Sequence, residues 1–170
     1  MADLESVLTL QKAAADAFKA AAQNVPDDLW NVPRAPGKWS PAQLTDHVAV
    51  ATRVARGAIS GRAPFGSIPR FLRWLPRKFY LDKVLRSGAL PAKSPGAPAF
   101  APAHQPIPRQ ELYAQLDSEI AAFAQLARDL VKGGQSSFEH GFFGTVAIAD
   151  YVRFNALHLD HHREQLPRAK

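Results

Sequence analysis

The amino-acid sequence predicts an all-α fold, and three of its features support that class. Apolar residues recur at intervals of three and four positions in several long stretches, which is the spacing of amphipathic helices. Alternation of apolar and polar residues, which marks a β-strand, does not extend over any convincing length. The stretches between the helices are rich in proline and glycine. With 170 residues, 46% of them hydrophobic and 21% charged, we expect one globular domain over residues 1–170.

The first helix is predicted over residues 3–24, where the repeat is rich in alanine. Val25-Pro26-Asp27-Asp28 ends it. The connection that follows, residues 30–39, contains too much proline and glycine for regular structure. We expect its two tryptophans, Trp30 and Trp39, to pack over one end of a helical bundle.

The second helix has a clear start signal in Ser40-Pro41-Ala42-Gln43. Serine is the N-cap, proline occupies the first helical position, and glutamine completes a capping box. Its apolar positions continue to Ile59. His47 belongs to the apolar face of this helix, because it lies three positions after Leu44 and four before Ala51.

The net charge of +6 is concentrated in residues 62–86, which contain seven cations and one anion. We expect one or two short helices here, broken near Pro76. The interpretation we favour is a helix whose aromatic residues pack on the bundle while its Arg and Lys side chains stay in water. Alternatives are an anionic substrate or cofactor drawn to the site, an acidic partner, or a membrane surface. Nucleic acid is not expected, because no recognised DNA- or RNA-binding motif accompanies the charge.

Residues 87–108 contain six prolines and predict an extended crossover, which in a four-helix bundle would let consecutive helices run parallel. We expect His104, within it, to be solvated. A third helix is predicted over residues 109–132, with Gly133-Gly134 as its stop. After a short connection the final helix begins at about Ala147.

The final helix carries three of the six histidines, His158, His161 and His162. His158 and His162 are one turn apart, so their rings project together, and this is the spacing of metal ligands on a helix. A further ligand must be histidine or a carboxylate, because the chain has no cysteine; His47 is our choice. His161 is the competing ligand, since positions i and i+3 also bring two rings together.

Three neighbouring residues have roles that the sequence constrains less. Asp160 lies about 200° round the helix from His158, so it cannot act like the glutamate of a His-Glu-x-x-His motif, and a peptidase is not expected. Gln165 is on the ligand face and could hydrogen-bond a ligand or bound water, or cap the core instead. His140 could line the mouth of the site or fix its own loop.

The absence of cysteine also excludes disulfides, iron–sulfur clusters and thiolate zinc sites. The N-terminal residues lack the basic and apolar regions of a signal peptide, and no window resembles a membrane span. We therefore expect a cytoplasmic protein without a transmembrane segment. The sequence leaves a homodimer open.

Two motifs resemble a known family. Residues 36–47, Pro-Gly-Lys-Trp-Ser-Pro-Ala-Gln-Leu-Thr-Asp-His, resemble the first ligand-bearing helix of the DinB-like metal-binding bundles. His140-Gly-Phe-Phe-Gly144, followed by residues 158–165, resembles the closing signature of the DUF1569 branch of that superfamily. The chain departs from this branch at Gly141, where proline is usual, and at Ala147, where Ser or Thr usually caps the last helix.

The resemblance implies a DinB-like four-helix bundle with a long crossover connection. It also implies a divalent metal ion, commonly zinc or nickel, held by His47, His158 and His162 with positions left open for water or substrate. Relatives in the superfamily include thiol-dependent S-transferases, isomerases and suspected hydrolases.

The function we predict is that of a metal-dependent enzyme of the thiol S-transferase or hydrolase type. Three neutral ligands on a divalent ion lower the pKa of a bound water to about 7, and an open position distinguishes catalytic from structural sites. The partners would be a small-molecule substrate and a low-molecular-weight thiol. An anionic substrate is one of the alternatives that the basic segment raises. The alternative is a non-catalytic binding or stress-associated module with a structural or absent metal, and residues 62–86 as its contact surface.

Overall fold

The computed structural model describes residues 3–62, 66–91, 102 and 107–167. Its elements, in chain order, are α1 (Leu4–Gln23), α2 (Pro41–Ile59), α3 (residues 74–87), α4 (Arg109–Lys132), β1 (Ser137–His140), β2 (Gly144–Ala147) and α5 (Ile148–Arg163). Short 3₁₀ turns at Asp27–Leu29 and Arg70–Leu72 complete the described structure. The predicted all-α class is confirmed. No helix in the described ranges combines the length and apolar character that crossing a membrane requires.

The four long helices pack around two apolar clusters, one toward each end of the bundle. The first cluster joins the C-terminal halves of α1 and α5 to the N-terminal halves of α2 and α4, with Phe18, Leu159, Val48 and Leu116 among its members. The second joins the opposite halves, with Leu8, Val152, Ile59 and Phe123. Hence α2 and α4 run parallel to each other, and α1 and α5 run the other way. The sequence predicted this parallel pair from the crossover, most of which, including His104, lies outside the described residues.

The helix boundaries follow local signals that the sequence carries. At the start of α2, Oγ of Ser40 accepts a hydrogen bond from the Gln43 backbone at 3.2 Å, and Oε1 of Gln43 accepts from the Ser40 backbone at 3.0 Å. At the end of α4, N–H of Gln135 donates to the Leu130 carbonyl at 2.9 Å, and Gly134 has φ +87°. Both arrangements satisfy backbone groups that a helix end leaves without partners.

A buried polar layer separates the two apolar clusters. Nε2 of Gln11 in α1 donates to Oδ1 of Asn155 in α5 at 2.7 Å, and Nδ2 of Asn155 donates to Oγ1 of Thr52 in α2 at 3.3 Å. All three side chains are buried, so sliding one helix past another would leave polar groups without partners in an apolar interior. The layer fixes α2 against α5, the two helices that carry the predicted metal ligands.

The basic segment differs from its prediction in two ways. The helix is not broken at Pro76, because Pro76 is the third residue of a helix that begins at Trp74. The N–H groups of the first helical turn have no acceptor within the helix, so a proline there removes no helical hydrogen bond. The chain instead widens into a π-helical turn at Arg77–Leu81. The expectation that the aromatic residues pack on the bundle is wrong for Phe71, Trp74 and Phe79, which are 75%, 56% and 64% exposed.

A short hairpin, β1–β2, precedes α5 where the sequence predicted only a connection. Its strands are antiparallel, with Phe138 opposite Val146, and both of these side chains are buried in the second cluster. Each strand has four residues, which is too short for alternation to be recognised against the helical background.

Candidate metal centre

The three histidines singled out by the sequence meet between α2 and α5. His47 lies in the first half of α2, and His158 and His162 lie one turn apart near the end of α5. Nε2 of His162 is 3.1 Å from Nε2 of both His47 and His158, and the His47–His158 separation is 3.4 Å. Three ring nitrogens of the same kind therefore face one point from two helices.

These separations fit a bound divalent ion. Two imidazole nitrogens that bind a metal at about 2.0–2.1 Å in tetrahedral geometry lie about 3.3 Å apart. Three neutral imidazoles cannot all be paired by hydrogen bonds to one another at this spacing. Each Nε2 either carries a hydrogen, which needs a lone pair opposite it, or carries a lone pair, and two lone pairs that face each other repel. A shared cation would resolve that conflict, since each Nε2 then directs its lone pair at the ion.

The surroundings of the cluster keep the imidazoles of His158 and His162 neutral, the form in which histidine binds metals. Burial lowers the pKa of His158 well below its ordinary value, and the neighbouring His162 and His47 lower it further. Burial also lowers the pKa of His162 to about 3, with His47 adding to the effect. Proton competition with a metal is therefore weak at neutral pH.

Gln165 orients one of these rings. Its Oε1 lies 3.3 Å from Nδ1 of His162, and its Nε2 lies 2.9 Å from Nε2 of His161. Because an amide oxygen only accepts hydrogen bonds, Nδ1 of His162 carries the hydrogen and Nε2 keeps its lone pair for the cluster. The sequence left two roles open for Gln165, and the structure shows it in contact with His162 of the cluster.

The connection between α1 and α2 folds over the cluster. The Trp39 ring centroid is 4.5 Å from that of His47 and 6.2 Å from that of His162. Nη1 of Arg34 donates to the Gln165 carbonyl at 3.3 Å, which ties the connection to the end of α5. Trp30 is buried in the first apolar cluster, so both tryptophans pack over this end of the bundle as expected.

The contact between Trp39 and the cluster was not foreseen in the sequence. The sequence feature that indicates this contact is the position of Trp39, directly before the N-cap Ser40. An apolar side chain at this position commonly packs back onto the first turns of the helix.

The remaining candidates do not join the cluster. His161 contacts Gln165, and Asp160 forms an ion pair with Arg163 at 3.1 Å. His140 fixes its own loop: its Nδ1 accepts hydrogen bonds from the backbones of Phe142 and Phe143, at 3.1 and 3.3 Å, and its Nε2 lies 3.2 Å from Oη of Tyr151. In the described part of the chain, His47, His158 and His162 form the group of side chains suited to holding a metal.

Comparison with known proteins agrees with this arrangement. The sequence model of a family described as the DinB superfamily matches residues 11–166, which include both helices that carry the three histidines. Neither the curated proteins nor the solved structures give a significant match.

Proposed function

Because the chain belongs to the DinB superfamily, we propose that it is a metal-dependent enzyme whose ion is held by His47, His158 and His162. Superfamily membership and the three-histidine cluster support metal binding. The donor set suits zinc or nickel, because neutral imidazoles bind both and no thiolate is present. Assignment to the DUF1569 branch belongs to the same proposal and is supported by the motif at residues 140–144.

The observation that carries the catalytic proposal is the number of ligands. Structural zinc sites use four protein ligands, whereas catalytic sites use three and keep a position for water or substrate. In the described residues the group contains three histidines and no carboxylate. A bound divalent ion would supply Lewis acidity, which favours the deprotonated, nucleophilic form of a water or a thiol at neutral pH.

The chain's own residues then have defined tasks. The histidines hold the ion, Gln165 fixes the tautomer of His162, and the Trp39 ring excludes solvent from the side of His47. Asp160 is engaged with Arg163, and the chain has no cysteine, so neither a zincin-type base nor a protein thiolate contributes. Transfer of a low-molecular-weight thiol to an electrophilic small molecule, or hydrolysis, are the reactions this set of groups supports. A cytoplasmic location stays a prediction from the sequence, and the sequence leaves a homodimer open.

Metal analysis of the untagged protein tests the ligand assignment. The parent, His47→Ala and His161→Ala proteins are compared for zinc and nickel content by mass spectrometry after gel filtration. We expect His47→Ala to lose the metal and His161→Ala to retain it, because only the first removes a ring from the cluster. Full metal occupancy in folded His47→Ala would contradict the assignment of His47 as a ligand.

The open position separates an enzyme from the alternative, a non-catalytic module with a structural metal. Cobalt-substituted protein should change its visible absorption when azide or a small thiol is added, because an exogenous ligand enters the coordination sphere. A spectrum that does not respond to either ligand would favour the structural metal.

A further inference from the structure

A patch of exposed aromatic and basic side chains covers α3 and the turn before it. Phe71, Trp74 and Phe79 are each more than half exposed, and the Trp74 and Phe79 rings lie 6.4 Å apart. Leu72 and Leu75, each 37% exposed, lie in the same stretch. We call these five residues the apolar face of α3. Large apolar side chains grouped in this way mark interaction surfaces on soluble domains.

The inner side of α3 anchors this face firmly. Leu81 and Val84 are fully buried, Leu81 in the second apolar cluster, and Tyr80 packs against Phe143 and Phe154. Within the π-helical turn at Arg77–Leu81, Phe79 is exposed while the neighbouring Tyr80 is half-buried against these rings. The apolar face is therefore presented on a helix that is itself held by the core.

Basic side chains alternate in sequence with the residues of the apolar face, so the segment that carries this face is strongly cationic. Arg73 and Arg77 are held in ion pairs with Glu139 and Asp82, at 3.2 and 2.7 Å. Five further cations in residues 62–86 are exposed, namely Arg62, Arg70, Lys78, Lys83 and Arg86. Residues 62–86 account for the entire net charge of +6, so the rest of the chain has no net charge to oppose an anionic partner.

The location of this surface separates it from the candidate metal centre. In the metal centre, His47 and His158 directly precede Val48 and Leu159, which belong to the first apolar cluster. In contrast, α3 packs on the second cluster through Leu81, and its Arg77 donates to the Thr145 carbonyl of β2. The charge is thus at the opposite end of the bundle from the histidines. Attraction of an anionic substrate to the metal centre, one of the alternatives raised by the sequence, does not explain it.

We propose that the apolar face of α3 and the exposed cations of residues 62–86 dock the protein peripherally on an anionic lipid bilayer. Interfacial helices combine Trp, Phe and Leu on one face with Lys and Arg beside it, because the rings enter the acyl boundary while the cations meet the head groups. A second copy of the chain is a poor occupant, since a symmetric contact would place cations against cations. Nucleic acid is disfavoured because no recognised DNA- or RNA-binding motif accompanies the cations.

Vesicle co-sedimentation tests the proposal with the full chain and two double variants. Phosphatidylcholine vesicles are compared with vesicles that also contain phosphatidylglycerol, at low and high salt. We expect binding only to the anionic vesicles, weakened by salt. Arg70→Gln/Lys78→Gln should lower the partition coefficient by roughly thirtyfold, since each cation near such a surface contributes about 1 kcal/mol. Phe71→Ser/Phe79→Ser should lower it by at least about tenfold.

The matched control removes two exposed cations elsewhere, in Lys12→Gln/Lys38→Gln, and should bind like the parent. Quenching by brominated lipid gives a second measurement: Trp74→Phe should lose most of the quenching seen in the parent, because Trp30 is buried at the other end of the bundle. Thermal melts exclude unfolded variants. Equal binding to neutral vesicles, unchanged binding of both double variants, or binding to an oligonucleotide but not to vesicles would overturn the proposal.

Discussion

The side-chain oxygen of Gln165 lies 3.3 Å from Nδ1 of His162, on the far side of the ring from the histidine cluster. The amide nitrogen of the same residue lies 2.9 Å from Nε2 of His161. The oxygen and the nitrogen of the Gln165 amide therefore each have a histidine partner in the same side-chain orientation. His162 is thereby held in the tautomer that points a lone pair at His47 and His158. Hydrogen bonds of this kind, made to the outer nitrogen of a ligand histidine, orient the ring and raise its basicity.

Replacing Gln165 should weaken metal binding without removing a ligand. We expect Gln165→Leu to lower the affinity roughly ten- to hundredfold, because the ring loses its acceptor. Gln165→Glu should retain or strengthen binding, since a carboxylate is the stronger acceptor. Competition with a chromophoric chelator measures the affinity, with Glu164→Gln as a neighbouring exposed control. Equal affinities of Gln165→Leu and the parent would contradict the orienting role.

Trp39 should report occupation of the site. Its ring is 4.5 Å from that of His47, whereas Trp30 packs against Tyr113 and Trp74 lies on α3. A paramagnetic ion such as Cu²⁺ quenches a fluorophore only at short range, so most of the quenching on titration should disappear in Trp39→Phe. In Trp74→Phe, the quenching of Trp39 fluorescence should be the same as in the parent. Quenching that survives in Trp39→Phe would place the ion elsewhere.

Local signals made much of this architecture predictable. The capping box at Ser40 and the glycine stop at Gly133-Gly134 define helix ends through contacts within a few residues, and the i, i+4 histidines meet through helix geometry alone. The position of His47 on the apolar face of α2 placed it toward the interior and made it the choice for a further ligand, and the family resemblance then implied the same three histidines. The parallel run of α2 and α4 followed from a crossover long enough to return the chain.

Features that depend on contacts between distant segments were not predictable in the same way. Periodicity shows which side chains share a face of α3, but not whether the rest of the chain covers that face, and Phe71 and Phe79 are in fact uncovered. The choice between two roles for Gln165 depended on where His161 points at the end of α5. The role of His140 depended on a hairpin too short to detect and on Tyr151 in the following helix.

His140 should make stability depend on pH. Burial, with a smaller effect of the cationic Arg73, lowers its pKa from 6.5 to about 4 in the folded protein. Between these two values the unfolded chain binds more protons than the folded one, so stability rises with pH. The stabilisation is therefore complete above about pH 6.5 and is lost as the pH falls toward 4. The loss attributable to His140 amounts to about 3 kcal/mol.

The matched variant is His140→Asn, whose side-chain oxygen can accept from Phe142 and Phe143 but does not titrate. Urea unfolding at pH 7 and pH 4 gives the free energies for both proteins. The parent should lose about 3 kcal/mol more than the variant over this interval, while titration of the clustered histidines is common to both and cancels. Equal losses would show that His140 is not protonated on unfolding.

The start of α5 offers a stabilising change. Ala147 occupies the N-cap with φ −66° and ψ 138°, a conformation suited to capping, yet its methyl group provides no acceptor for the first-turn N–H groups. Ala147→Thr adds a hydroxyl that can accept from the backbone of Asp150, whereas Ala147→Val has the same shape without it. We expect Ala147→Thr to be more stable than Ala147→Val by about 1 kcal/mol in urea unfolding. Because the two side chains are isosteric, packing against the hairpin is common to both, and equal stabilities would mean that water already satisfies this helix end.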